Sequence, residues 1–593
     1  MSLRTTEDSP SESSSPRGLN REGKQTEFPR KLALFVRELW PFAILALGTL
    51  VLALPMFVYG PYPKAHDIYE HITFDRYFSE QFWAGELYPR WLIDINHGLG
   101  SPSLFVFPPF QAYVHALLSP ITNLLHLDGL VIEQFLVLLI SGISAFFWMG
   151  ERLSRPAALA MALLYMSMPY HLYLDLYQRA AIGECWALAW IPLLLYFASR
   201  MAAGSRTSFV FFALTYAVLI LSHLISVLML SPIPILAAIV FSGNGERIRA
   251  TWRVIAGMIL GSGLAGFYLI PALRHAGNFP PYMLTPPVST YLINFHDLFA
   301  PFAGDPFTRD ADLCGTDAIL AALLCGFAAL IYSSAASRKR VLFWLAMCAP
   351  PAFMMWSRSI HVWNISTRLI WSVQYAFRLN VILCVGVMAL LAEFVAPIRW
   401  KRLPSATLGI TVVLLVVGPW IYSYGAVWNT YAQEENPAVE LASHAYGRFH
   451  DDGWFGAWKV KGLDEAEALE ASAGPRARFA SGTGTATVRV WRPRHLVVDA
   501  DSAKGGLVAV NQFYYRAWQV SLAGSSAPID TQPAMPAGLL AVPVPPGHVE
   551  VHFDIPVRPA EEGGRILSVV SLGLGLVLLW RSRREVYCPA RQA

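Results

Sequence analysis

The chain has 593 residues, 55% of them hydrophobic and only 15% charged, with a mean hydropathy of +0.42, which excludes an ordinary soluble globular protein and points to an integral membrane protein. Its net charge of +4 is carried by short Lys/Arg clusters between apolar runs, so the basic balance reports topology and gives no nucleic-acid signal. Six cysteines (Cys185, Cys314, Cys325, Cys348, Cys384, Cys588) form no CxxC pair and mostly fall inside apolar runs, as packing residues do; neither a disulfide framework nor a zinc site is implied.

Residues 1–32 are rich in Ser, Pro, Glu and Arg and read as a disordered cytoplasmic tail. Trp40–Tyr59 follows and ends in PMFVYGPYP instead of a small-x-small cleavage site, so it reads as an uncleaved signal anchor. A bilayer core about 30 Å thick needs roughly 20 apolar residues per helix, and Lys/Arg-rich connections stay inside. Basic clusters at Arg30–Arg37, Arg152–Arg155, Arg200–Arg206, Arg247–Arg253, Arg338–Arg340, Arg399–Arg402 and Arg581–Arg584 then mark the cytoplasmic side. Spans fall at about 39–59, 130–149, 157–172, 182–200, 208–222, 225–241, 254–273, 315–333, 340–356, 379–397, 405–423 and 566–580. The expected fold is an α-helical polytopic membrane protein of about 12 spans, with both termini cytoplasmic, a membrane domain over 33–423 and a final helix and tail over 566–593. The proline- and histidine-bearing segment Leu104–His126 breaks the charge parity if it crosses, and reads as interfacial or re-entrant.

The first outer loop, 60–103, opens with HDIYEHIT. Asp67, Glu70 and His71 stand at i, i+3 and i+4 and share one face if this stretch is helical. Carboxylates there suit a general base; the plainer reading is a solvated amphipathic helix, and His66, Asp67, Glu70 and His71 are also a conceivable metal set. Further on, Arg90 and Trp91 supply a cation and an aromatic face for phosphate and sugar, unless Trp91 is an interfacial anchor.

Ionisable groups at helix ends need partners or a wet cavity. Arg179 and Glu184 form a capping ion pair, or Arg179 instead binds a donor phosphate; His223 sits at an outer apex; and Arg378, which begins a span with Gln374 one turn earlier on the same face, either snorkels to the interface or joins Arg179 in an anion clamp. Asp310 and Asp312 make a DxD, a motif that accompanies metal in some sugar transferases but is short; Asp499 and Asp501 repeat it. Over 424–565 short alternating runs such as TATVRVW, LVVDA and VEVHFDI, separated by Gly/Pro turns, predict an extracytoplasmic β-sandwich-like domain, whose Tyr514, Tyr515 and Trp518 could hold a glycan or shield the site.

HDIYEH, GELYPRWLIDINHGLGSP, FPPF, YQRAAIGECWALAWIPLLLY, LILSHLISVLML and VQYAFRLN, in this order, resemble the bacterial multi-spanning membrane proteins labelled with a 6-pyruvoyl-tetrahydropterin-synthase-related domain, kin to the YfhO-like proteins. The closing NQFYYRAWQVSLAG and AVPVPPGHVEVHFDI are similar to the YfhO-like outer domain. Such families are grouped with the GT-C glycosyltransferases, so the resemblance implies sugar transfer from a polyprenyl-phosphate donor to a glycan or lipid acceptor, on the outer face of a bacterial inner membrane. It makes Asp67 the leading candidate for the essential acidic residue of the first outer loop and Glu70 the second, with His66, His71, Arg90, Arg179, Glu184, His223, Gln374 and Arg378 toward substrate; a divalent metal is an open option. Ala65 replaces the family's Gly before His-Asp, and Gln374–Arg378 keeps the ends of a QFPWR pattern without its Pro and Trp. The rival functions are a lipid-linked-sugar flippase, which needs a polar path through the bundle, and a non-catalytic polysaccharide assembly protein.

Overall fold

The computed structural model describes residues 22–276, 292–293, 306–332, 334–366, 372–397, 406–432, 460–525 and 527–587. The tail up to residue 21, most of the expected connection 274–314, the cluster Arg399–Arg402, residues 433–459 of the expected β domain, and Cys588 lie outside them.

Every apolar run picked out by hydropathy is helical. The helices are α1 (Glu22–Tyr59), α2 (Ile68–Trp83), α3 (Phe110–Leu125), α4 (Gly129–Met149), α5 (Arg155–Met166), α6 (Ile182–Ala202), α7 (Arg206–Ser222), α8 (Leu224–Phe241), α9 (Arg247–Leu264), α10 (Gly266–His275), α11 (Pro306–Tyr332), α12 (Ala335–Met355), α13 (Asn380–Val395) and α14 (Ala406–Ala432). A short helix α15 (Glu465–Ala473) precedes the strands, and α16 (Pro559–Tyr587) follows them. α5 runs on through a wide π turn, Tyr170–Gln178. Eight helices among the described residues are long and apolar enough to cross a membrane, and a ninth results if α9 and α10, bent by 77°, count as one. This is a polytopic membrane protein, with fewer strict spans than the twelve expected. α7 is only 17 residues long, and α12 spends its start on Arg338, Lys339 and Arg340, which shortens its apolar stretch. α1 starts at Glu22, so part of the expected tail is helical: adding residues to an existing helix avoids the cost of nucleation.

The C-terminal domain is a pair of four-stranded sheets, β1-β4-β7-β6 and β2-β3-β8-β5, where β1 is Ala477–Gly482, β2 Thr485–Arg492, β3 His495–Ser502, β4 Gly506–Phe513, β5 Gln519–Leu522, β6 Gln532–Ala534, β7 Leu539–Val544 and β8 Gly547–Asp554. All pairings between these strands are antiparallel. Alternation puts Leu496, Val498 and Ala500 of β3 and Val508 and Val510 of β4 into a common core. That core is completed from the first loop by Trp91, Ile93 and Phe105. Gln512 fixes the dock: its Oε1 accepts from Trp91 Nε1 at 2.6 Å, and its Nε2 donates to the carbonyls of Ile93 (3.1 Å) and Gly98 (2.7 Å). Gly100 sits against this contact with φ +79, and a Cβ there would meet Gln512 Oε1 at 2.5 Å, so only glycine fits.

The β domain therefore rests on the first loop; α2 of that loop packs on α3, the helix of the Leu104–His126 segment that follows it, and α3 packs on the bundle.

Candidate functional site

Asp67 is the N-cap of α2, yet its side chain makes no capping bond. Capping is the ordinary use of an aspartate in that position, so this half-buried carboxylate is left for other work. Its backbone N–H donates to the carbonyl of Arg179 at 2.9 Å, and that of His66 to Gln178 at 3.2 Å. The start of the first loop is thus pinned to the end of the π turn.

Around that junction lies a buried charged cluster. The Arg179 guanidinium donates to Asp175 and, at 3.1 Å, to Glu184. Glu184 also accepts from the Tyr170 hydroxyl at 2.6 Å and lies 3.4 Å from Arg378 Nε. Arg378 in turn donates to Gln374 and sits over the Tyr375 ring, while Arg179 sits over Phe377. Burial opposes the Arg179 charge, but the carboxylates of Glu184 and Asp175, with Tyr170 and Asp67 beyond, hold its pKa above the usual range. His223 caps α8 through Nδ1 to the Ser226 N–H at 3.3 Å and lies beside Gly183, where an added Cβ would meet the Ser222 carbonyl at 2.8 Å. Ala180 (φ 52) and Gln374 (φ 68) both occupy the left-handed region, which costs a residue with a Cβ about 1–2 kcal/mol. Tyr173, on the π turn, donates to Asp310 at 2.7 Å.

Of the residues singled out in the sequence, Asp67, Arg179, Glu184, His223, Gln374 and Arg378 meet here, brought from α2, the π turn, α6, the α7–α8 break and the start of α13. The others stand apart. His66 is exposed and packs its ring on Phe307 at 4.1 Å. Glu70 is half-buried one turn along α2. His71 points to Gln111 on α3, so His66, Asp67, Glu70 and His71 do not converge as a metal set. Arg90 is buried at the far side of the loop, 3.3 Å from Glu561 of α16 and donating to the Phe267 carbonyl at 2.8 Å; it is a strut between loop and last helix. Trp91, Tyr515 and Trp518 are core residues of the β domain, packed edge to face or tilted on one another, which corrects both the sugar-platform and the interfacial-anchor readings of Trp91. Asp310 and Asp312 lie on α11 instead of a loop. Asp499 pairs with Arg489 at 2.6 Å across β2 and β3.

The sequence reading missed Asp175, Tyr170 and Tyr173. Asp175, four residues before Arg179, carries a signal that was available: an acid inside an apolar run needs a partner.

A cavity of about 690 Å³ opens at the opposite end of the bundle, among Arg152, Arg249, Arg253, Arg340, Trp148 and Glu393. Between it and the Asp67 end, Leu188 and Ile191 of α6 and Val385, Val387 and Met388 of α13 are fully buried.

No family model and no curated protein matches the sequence. Among solved structures, the mycobacterial arabinofuranosyltransferase AftD is similar at 14% identity and TM-score 0.39, over 66% of this chain and 27% of that one. The Archaeoglobus fulgidus oligosaccharyltransferase in its apo form is similar at 12% identity and TM-score 0.40, over 70% of this chain and 60% of that one. This chain thus spans less than two thirds of either, and likenesses below a TM-score of 0.5 are too loose to assign function.

Proposed function

We propose that the chain is a GT-C-type glycosyltransferase that moves a sugar from a polyprenyl-phosphate donor to an envelope glycan or lipid acceptor at the outer face of the membrane. The observation that supports it is an uncapped, half-buried Asp67 hydrogen-bonded through its own backbone to Arg179, in the cluster that holds Arg378, Glu184 and Gln374. In an inverting transfer the acceptor hydroxyl oxygen forms a bond to the anomeric carbon as the bond from that carbon to the phosphate oxygen breaks. Asp67 takes the hydroxyl proton, and the phosphate leaves with the bonding electron pair. Arg378 stands toward that developing charge; its Nε has no hydrogen-bond partner among the described residues despite its 3.4 Å approach to Glu184. Arg179, already between two carboxylates, holds Glu184 and the loop start in place. A flippase needs a polar route between the two ends, and the apolar mid-sections of α6 and α13 do not supply one along those helices.

The test is transfer by the purified full chain in lipid, offered a panel of polyprenyl-phosphate sugars with glycan acceptors. Asp67→Asn is expected to lower the rate about 10²–10⁴-fold, the range of a lost general base, with folding intact. Undiminished transfer by that variant removes Asp67 from the mechanism; binding of donor without transfer by the wild type favours the transport or assembly readings.

A further inference from the structure

Across α6 from the Arg179 cluster is a second polar group that the proposed transfer does not use. Glu184 and Trp186 are two residues apart, hence about 200° apart around the helix, and Trp186 Nε1 donates at 3.0 Å to Glu133 Oε1 on α4. Glu133, Asp75 of α2 and His115 of α3 offer ligand atoms that all lie within 4.8 Å of one another. Glu133 is 0% and Asp75 1% exposed. Glu133 Oε2 and His115 Nδ1 are buried with no hydrogen-bond partner among the described residues. Among the described residues Asp75 receives only the Gln111 amide, at 3.2 Å and 3.4 Å, and that same amide contacts His71. No lysine or arginine pairs with either carboxylate among the described residues.

Two carboxylates and an imidazole in this arrangement are costly unless a positive charge joins them. We propose that Asp75, His115 and Glu133 bind one divalent cation of the zinc class, clamping α2 of the first loop and the following helix α3 to the transmembrane bundle. One nitrogen with two oxygens suits zinc, cobalt or manganese better than magnesium or calcium, which take oxygen alone. Tetrahedral zinc at about 2.0–2.1 Å needs ligand atoms about 3.3 Å apart, so the three side chains close inward slightly, a movement within reach of Glu133 and His115 χ rotation. Gln111 and Trp186 then orient the two carboxylates, and His71 orients Gln111. The site is independent of sugar transfer.

The full chain, purified without chelator, is measured for bound metal and then titrated with Co²⁺, whose visible absorption reports an N/O tetrahedral site. One metal per chain is expected, with Glu133→Gln and His115→Gln weakening binding at least tenfold, and with Asp67→Asn and Asp310→Asn leaving it unchanged. A parallel measurement covers misfolding: added Zn²⁺ raises the melting temperature of the wild type and leaves that of Glu133→Gln unmoved. A wild type that melts cooperatively yet takes up no Zn²⁺ or Co²⁺ overturns the proposal, as does a Co²⁺ spectrum that survives Glu133→Gln. Loss of metal in Asp67→Asn instead would move the site to the other cluster.

Discussion

Glu561 is the most informative single position for how the first loop is held. It lies at the start of α16, is 1% exposed, and faces two guanidinium groups: Arg494 donates to its two oxygens at 2.9 Å and 3.0 Å, and Arg90 Nε approaches at 3.3 Å. Replacing it by Gln leaves both arginines without their carboxylate. Arg90 has no exposure to fall back on, so the cost should reach the 3–5 kcal/mol typical of breaking a buried pair from one side. Arg90→Met is gentler, because Glu561 keeps Arg494, and the methionine stem fills the space over Tyr88, whose ring centre is 4.1 Å from the guanidinium carbon; about 1.5–3 kcal/mol, one charge-assisted bond, is expected. The double variant should cost less than the sum of the two. Thermal unfolding of the full chain in detergent, followed by tryptophan fluorescence and by protease release of the β domain, ranks the three. If Arg90→Met proves as damaging as Glu561→Gln, or abolishes transfer in protein that melts normally, then Arg90 is no strut and its placement away from the Asp67 cluster is wrong.

Burial pushes the Glu86 carboxyl, in the loop after α2, up from 4.5 to about 7, against the opposing pull of Arg494 and of the Gln81 amide. The folded chain therefore binds more protons than the unfolded one between those values, and stability falls as pH rises from about 4.5 to 7 and stays reduced above. Melting temperatures between pH 5 and 8 should show this slope in the wild type and a flatter one in Glu86→Gln; parallel curves would refute it. Gln512→Ala strands the Trp91 indole N–H and the Ile93 and Gly98 carbonyls, for about 1–3 kcal/mol per group left buried and unpaired, and should be seen as faster proteolysis between loop and β domain. Gly183→Ala puts a Cβ 2.8 Å from the Ser222 carbonyl, forcing α6 away from the α7–α8 break. Because a shift near 1 Å can cost about 10²-fold in rate, transfer should drop far more than the melting temperature does, and an unchanged rate would argue that His223 and Glu184 need not adjoin.

Hydropathy and charge placed the long apolar helices because each such run must satisfy its own backbone hydrogen bonds wherever it lies, a requirement written locally; the polar helix Glu465–Ala473 and the helical start of α1 at Glu22 carry no such apolar signal. Period-two alternation likewise announced β2, β3, β4, β7 and β8, while β1 and the short β5 and β6 carry no such run. Arg179, Glu184 and Arg378 were visible as ions at the edges of apolar runs. What the pattern did not reveal was partner choice. Arg90 and Arg179 look alike in sequence, each at the edge of an aromatic-rich stretch, yet one meets Glu561 from the last helix and the other meets Asp175 one turn away. Trp91 was legible as an amphipathic aromatic, but only the fold assigns it to the core of a domain that begins hundreds of residues later.

The sequence by itself determined that this chain is a membrane-embedded helical protein with a terminal β domain, because burial period and backbone satisfaction depend on neighbours along the chain. The tertiary structure alone decided which acids and cations share a site. Coulombic and hydrogen-bond pairing depends on distance in space, and so Asp67 with Arg179, Glu133 with Asp75 and His115, and Gln512 with Trp91 became pairs only when the helices packed.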